Sequence, residues 1–232
     1  DSLFKQPKPY LSIVDALATK KVGMTRTEIL RATKLTDNGK LTEYLENLEY
    51  CGFIRKYNCI GMKAKNALFQ LMDNYTLFYY KFIKDSYIND AQYWTKITGK
   101  PEYNTWCGLA FERVCLQHVE QIKAKLGIQG VITTVYSWSV AGSKDKPGAQ
   151  IDLLIDRSDD VINLCEIKYS KALFQITHTI DASLQNKRER FIQETGTEKA
   201  VHLTMITTMG LSDNPYAWDV QSVVTMDDLF VL

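Results

Sequence analysis

Long apolar runs are missing from this chain. Stretches such as Val161 to Cys165 and Leu229 to Leu232 stop far short of the roughly 20 residues that a membrane span needs, which excludes a transmembrane helix. Cysteine is sparse and lacks any metal motif. Cys51, Cys59, Cys107, Cys115 and Cys165 form an odd set with no CxxC pair and no His-x-x-x-His partner nearby, so they read as reduced, mostly buried thiols of a cytoplasmic protein. An excess of one charge is missing too, because 28 Lys and Arg against 27 Asp and Glu leave a net charge of +1. A surface that grips phosphate everywhere is thereby excluded, and any contact with nucleic acid must be local. The chain opens at Asp1 with neither a methionine nor a basic-then-apolar leader, so the expectation is a fragment of a longer protein. No Gly-x-x-x-x-Gly-Lys-Ser/Thr run is present. This chain alone should therefore neither bind nor hydrolyse ATP.

What is there is ordinary globular material. At 232 residues, 45% hydrophobic and 24% charged, the chain can form one large domain or two small ones. Tyr10 to Lys20 carries Leu11, Val14, Leu17 and Ala18 at helical spacing. Thr25 and Glu28 then make a capping-box pattern ahead of Ile29, Leu30 and Ala32. After a turn at Thr36-Asp37-Asn38-Gly39, a third helix presents Leu41, Tyr44, Leu45 and Leu48 on one face and closes at Gly52. Two strand-like runs follow, Phe53 to Tyr57 and Ala67 to Met72, joined by a basic loop. Three helices and a hairpin over residues 1–72 resemble a winged helix-turn-helix. Its third helix carries Lys40 but also Glu43, Glu46 and Glu49, which repel a DNA backbone. Basic residues gather instead at Arg55, Lys56, Lys63 and Lys65, so Lys63 and Lys65 are the candidate phosphate contacts of the wing. Reading DNA and joining other modules both stay open as roles for this part.

Residues 73–101 form a connecting helical segment, in which Tyr75, Phe78, Tyr79, Tyr80, Phe82 and Ile83 suggest a helix that packs on both sides. Gly99-Lys100-Pro101 marks a boundary. Residues 102–232 make the second domain. A helix from Asn104 to about Lys125 precedes strand candidates Val131 to Val140, Ala149 to Ile155 and Val161 to Lys168. A helix from Asp181 to Glu194 and a strand from Ala200 to Ile206 complete the order helix, three strands, helix, strand.

Charged residues sit inside these strands. Asp152 interrupts the apolar run Gln150 to Ile155, and Glu166 and Lys168 stand two apart, hence on one face of their strand. A buried unpaired charge costs several kcal/mol, so the three require an explanation, and a divalent ion supplies one. Magnesium takes oxygen ligands, commonly one or two carboxylates with waters and phosphate oxygens. Asp152, Glu166 and the main-chain carbonyl of Ile167 form a suitable half-shell. Glu112, on the preceding helix, can add an outer ligand or hold a second ion. Lys168 can stabilise charge on an attacking water or on the transition state.

The set of a helical Glu112, a strand Asp152, and Glu166-Ile167-Lys168 on the next strand resembles the PD-(D/E)xK nuclease superfamily. More narrowly, Gly108 to Cys115, Gly148 to Asp152 and Cys165 to Tyr169 resemble the C-terminal region of a prokaryotic AAA-type ATPase family, in which a P-loop ATPase precedes a winged helix and a nuclease-like domain. Ile151 stands where the signature has proline. The resemblance implies an α/β fold, with a winged helix-turn-helix followed by a restriction-endonuclease-like αβββαβ core on a mixed central sheet. It implies Mg2+ or Mn2+ as cofactor, DNA as the nucleic-acid partner, an upstream ATPase module missing from this chain, and Glu112, Asp152, Glu166 and Lys168 as catalytic residues. The function expected is metal-dependent phosphodiester hydrolysis. The alternative is an inactive nuclease fold that serves, with the winged helix, as a DNA-binding or protein-interaction module. Self-association into a homo-oligomer is left open. Gln185 and Lys187, on the helix after the third strand, are further candidates for the site or for nucleic-acid contact. His118, His178 and His202 lack ligand spacing and read as structural.

Overall fold

The structure, a computed structural model, describes residues 4–60, 66–85, 90–144 and 146–231. The chain divides into two compact units, Asp1–Ala91 and Gln92–Leu232. Among the described residues, no helix is long and apolar enough to cross a membrane.

In the first unit, a proline in the opening turn starts α1 (Pro7–Ala18), where its missing N–H costs nothing. Tyr10, Ile13, Val14 and Leu17 follow the i, i+3, i+4, i+7 pattern and are all buried. Gly23 turns the chain from α1 into β1 (Met24–Thr25) at φ +84°, and a Cβ there would lie 2.3 Å from the Phe69 carbonyl oxygen. Only glycine fits both the angle and the space. The expected capping box is formed at α2 (Arg26–Thr33): Glu28 N donates to Thr25 Oγ1 at 3.3 Å, and Thr25 N donates to Glu28 Oε2 at 2.8 Å. Asn38 caps α3 (Gly39–Tyr50) by accepting from the N–H groups of Lys40 and Leu41. Strands β2 (Ile54–Tyr57) and β3 (Leu68–Leu71) pair antiparallel, and β1 joins the other edge of β3 to give the order β1-β3-β2. Ile29, Leu41, Leu45, Leu48, Ile54 and Leu71 close one core with the α1 stripe.

Asp73 caps α4 (Asn74–Phe78), which continues as a π-helical turn over Tyr79–Ile83. This segment is not buried on both sides, contrary to expectation: Phe82 is 5% exposed, but Tyr75 is 71% and Ile83 43%. Its inner side is tied to α1 through Asp15, which accepts from the Tyr80 hydroxyl at 2.5 Å and from Lys84 Nζ at 2.6 Å. The outer side faces solvent.

The second unit begins with α5 (Tyr93–Ile97) and α6 (Pro101–Gln117). The single helix expected to reach Lys125 is broken at His118, whose φ of −114° and ψ of 33° leave the helical region, and α7 (Val119–Lys125) starts anew. Strands β4 (Thr133–Val140), β5 (Ala149–Arg157) and β6 (Val161–Lys168) form an antiparallel meander. The chain then crosses through α8 (His178–Thr195) to β7 (Ala200–Thr207), parallel to β6, and β8 (Ser222–Thr225) adds parallel to β7. The outcome is a mixed α/β unit on a five-stranded sheet of order β4-β5-β6-β7-β8. The last strand was not foreseen.

Candidate active site at a forked strand pair

Strand β6 fixes the two faces of the sheet. Cys165 points to the side covered by α6, where it neighbours Cys115, while Glu166 and its alternation partners Leu164 and Lys168 point to the side covered by α8. Burial pushes the Cys165 thiol up to about 12, and burial with Cys165 and Glu112 as neighbours pushes Cys115 up as well. Both thiols are inert packing groups. The remaining cysteines are less enclosed than expected: Cys59 and Cys107 are half-buried and Cys51 is exposed.

Strands β5 and β6 part at the predicted carboxylates. Their ladder ends at the pair Leu153 and Cys165, although β5 runs on beside β4 to Ala149 and β6 runs on beside β7 to Lys168. The next position on β5 is Asp152 and the next on β6 is Glu166, so the two residues stand on either side of the fork's origin. Asp152 also lies in a β-bulge. Tyr136 pairs with Leu154 and Trp138 with Ile151, so β5 takes one residue more than β4 over this interval. Bulges bend a strand and re-aim side chains, which no alternation rule in the sequence discloses. Asp152 is half-buried, and its Oδ1 accepts a hydrogen bond from Gln150 Nε2 at 2.7 Å.

Glu166 is buried and bracketed by two ammonium groups. Lys168 Nζ lies 2.8 Å from its Oε1, and Lys187 Nζ lies 2.6 Å from its Oε2. An unpaired carboxylate there would cost several kcal/mol, and the lysines offset that cost. Two formal positive charges against one negative leave the trio at +1, and with the Asp152 carboxylate the fork as a whole is balanced. Lys187 reaches this point because it shares the inward stripe of α8 with the buried residues Leu184 and Phe191, the latter packed edge-on against Trp138 at 5.4 Å.

The other sequence candidates divide. Glu112 is buried, but its Oε1 is held at 2.7 Å by the guanidinium of Arg113, itself 1% exposed. Arg113 was overlooked in the sequence, although its adjacency was the available signal. Gln185 does not join Glu166: its Nε2 donates to Asp181 and Asp219, and its Oε1 accepts from Arg188. Lys63 and Lys65 lie outside the described residues. Among the described residues, no group of three or more His, Cys, Asp or Glu side chains is gathered to hold a metal ion. The donors at the fork are two carboxylates, which in kind and number match what magnesium commonly takes from a protein.

Fold and site together define a mixed α/β protein with a three-stranded antiparallel sheet in one unit, and in the other a five-stranded mixed sheet bearing a carboxylate and lysine cluster where two strands separate. No protein-family model, curated protein or solved structure matches the chain.

Proposed function

We propose that the second unit is a nuclease-like domain of the PD-(D/E)xK type that hydrolyses phosphodiesters with magnesium or manganese. The observation that carries this reading is the fork, where the β5–β6 ladder stops at Leu153 and Cys165, the next residues are Asp152 on a bulged strand and Glu166 on its neighbour, and Glu166 is paired with Lys168 and Lys187. The order α6, α7, β4, β5, β6, α8, β7 supports the same assignment. Asp152, Glu166 and the Ile167 carbonyl would hold the ion, which when bound supplies Lewis-acid polarisation of a phosphate and a more acidic water. Lys168, 41% exposed along its side chain, stabilises charge on the attacking oxygen or on the transition state. Lys187, 18% exposed, stays behind Glu166 and sets its orientation. The attacking water oxygen bonds to phosphorus as the ester P–O bond breaks, leaving a phosphate monoester and a free hydroxyl.

In the first unit, the order α1, β1, α2, α3, β2, β3 with β1 on β3 supports a winged helix-turn-helix. Gating of the nuclease unit by an upstream ATPase is the role that the family resemblance adds. A second reading, a nuclease fold without activity that acts with the winged helix as a binding module, is favoured by the commitment of Glu112 to Arg113 and of both Glu166 oxygens to lysines.

Incubation with plasmid, branched DNA, single strands and RNA, in magnesium, manganese or chelator, tests the choice. Cleavage is expected with either metal and not in chelator, and Glu166→Gln should abolish it. Cleavage that survives chelation or Glu166→Gln rules out the assigned site. Absence of both cleavage and manganese uptake selects the second reading.

A further inference from the structure

The corner between α5 and α6 carries a second cluster of side chains. The Trp94 and Tyr103 rings meet edge to face at 5.4 Å, and the Lys171 ammonium stands over the Tyr103 ring at 5.7 Å. Lys171 also lies beside the chain at Gly99, where an added Cβ would be 3.7 Å from Nζ. Cys107 and Tyr169 neighbour Tyr103, and Tyr169 directly follows Lys168 in sequence. The cluster thus adjoins, through Tyr169, the fork's lysine in sequence. Folding does not require that indole to be open to water. Ile97, 4% exposed, anchors α5, while Trp94 is 41% exposed on the same short helix. Lys100 and Lys171 are exposed at this corner, with Glu102 as the acidic neighbour.

We propose that this corner is a stacking platform for single-stranded nucleic acid, with unpaired bases on Trp94 and Tyr103 and the connecting phosphates on Lys171 and Lys100. Exposed aromatic faces interleaved with lysines are the chemistry that binds single strands, because every unpaired base offers a π-face and every linkage a charge. A duplex covers its base faces by its own stacking and cannot use the indole. The platform specifies the substrate class of the fork and rests on the phosphodiesterase reading for that link, since Tyr169 beside the platform directly follows Lys168 in sequence.

The test is binding of a fluorescein-labelled oligothymidylate of about 16 nucleotides by the full chain in chelator, followed by anisotropy. The unsubstituted chain should bind, Trp94→Ala should weaken binding about tenfold to a hundredfold, and Trp94→Phe should retain most of it. Lys171→Ala should reduce the slope of log affinity against log salt by about 0.7. Melting followed by circular dichroism verifies that each variant is folded. The proposal is overturned by failure of the unsubstituted chain to bind, by full affinity in Trp94→Ala, or by a duplex of equal length competing as well as the single strand. Because binding is read in chelator, it separates from the nuclease reading. Trp94-dependent binding without cleavage in manganese upholds the platform and removes the nuclease, and cleavage with Trp94-independent binding does the reverse.

Discussion

The interior of α6 and the fork of β5 and β6 each enclose a carboxylate to the same degree, yet they treat it differently. Glu112 is 9% exposed along its side chain and Glu166 is 10%. The partner of Glu112 is a guanidinium, 1% exposed, from the next residue of the same helix. Neighbours at i and i+1 do not face each other on a helix, so the Arg113 side chain must curl back to make the contact. It is permanently charged and has no route to water. The partners of Glu166 are two lysines from different elements, and Lys168 is 41% exposed. Moving Lys168 into solvent is cheap, whereas withdrawing Arg113 strands a charge in the core. The two carboxylates are enclosed alike, and the exposure of their counter-charges sets them apart.

The largest effect that tests this contrast is on stability. Arg113→Met removes a buried guanidinium held 2.7 Å from Glu112 and should cost about 3–5 kcal/mol in urea unfolding. Lys168→Ala, whose lost contact is partly screened by solvent, should cost about 1 kcal/mol or less. Equal costs for the two variants would erase the distinction between a structural and a releasable pair.

Next in size is the effect on catalysis, where the order should invert. Lys168→Ala should leave manganese uptake intact, as read by calorimetric titration, and lower cleavage about a hundredfold or more, the scale of one oriented electrostatic group. Asp152→Asn should weaken both uptake and cleavage, with partial recovery at higher manganese. Full cleavage by purified Lys168→Ala protein would remove its catalytic role, and unchanged uptake by Asp152→Asn would remove that residue from the ligand set.

How far the sequence foretold these regions follows from which signals are local. Strands β5 and β6 were legible because their apolar runs are bounded by turn residues, and Glu166 and Lys168 share a face by strict period two. The bulge at Asp152 was not legible, since it depends on how β5 meets β4 across the sheet. Lys187 could be singled out on its helix, but its contact with Glu166 follows from the packing of α8 over the sheet. Strand β8 escaped notice because Ser222–Thr225 is short and lies at the sheet's edge beside β7. The break at His118 escaped because the apolar stripe continues through it, with Leu116 and Ile122 buried on either side. In the first unit, the Thr25 and Glu28 cap is a contact over three residues, and it formed as expected.

The smallest expected effect comes from a lysine and carboxylate contact on the same strand as Asp152 but away from the fork. Lys199 Nζ lies 2.7 Å from Asp156 Oδ1 and also 2.7 Å from the Arg157 carbonyl oxygen. The hydrogen bond to Asp156 holds the Lys199 ammonium above its ordinary pKa, with the charges of Asp156, Asp160 and Asp159 adding to it. A lysine whose pKa is raised by folding stabilises the folded state fully below its unfolded pKa, about 10.4, and loses that contribution as pH climbs through the folded value. Lys199→Met should therefore lower the melting temperature slightly, by an amount that stays constant from neutral pH to about 10 and shrinks only above it. Manganese uptake and cleavage should not change, because the contact lies where β5 and β6 are still paired, at Asp156 and Ile162. A melting deficit that disappears near neutral pH would refute the ion-pair account. A loss of cleavage comparable to that of Lys168→Ala would show that lysine contacts along β5 and β6 act alike, and would count against the fork as the proposed site.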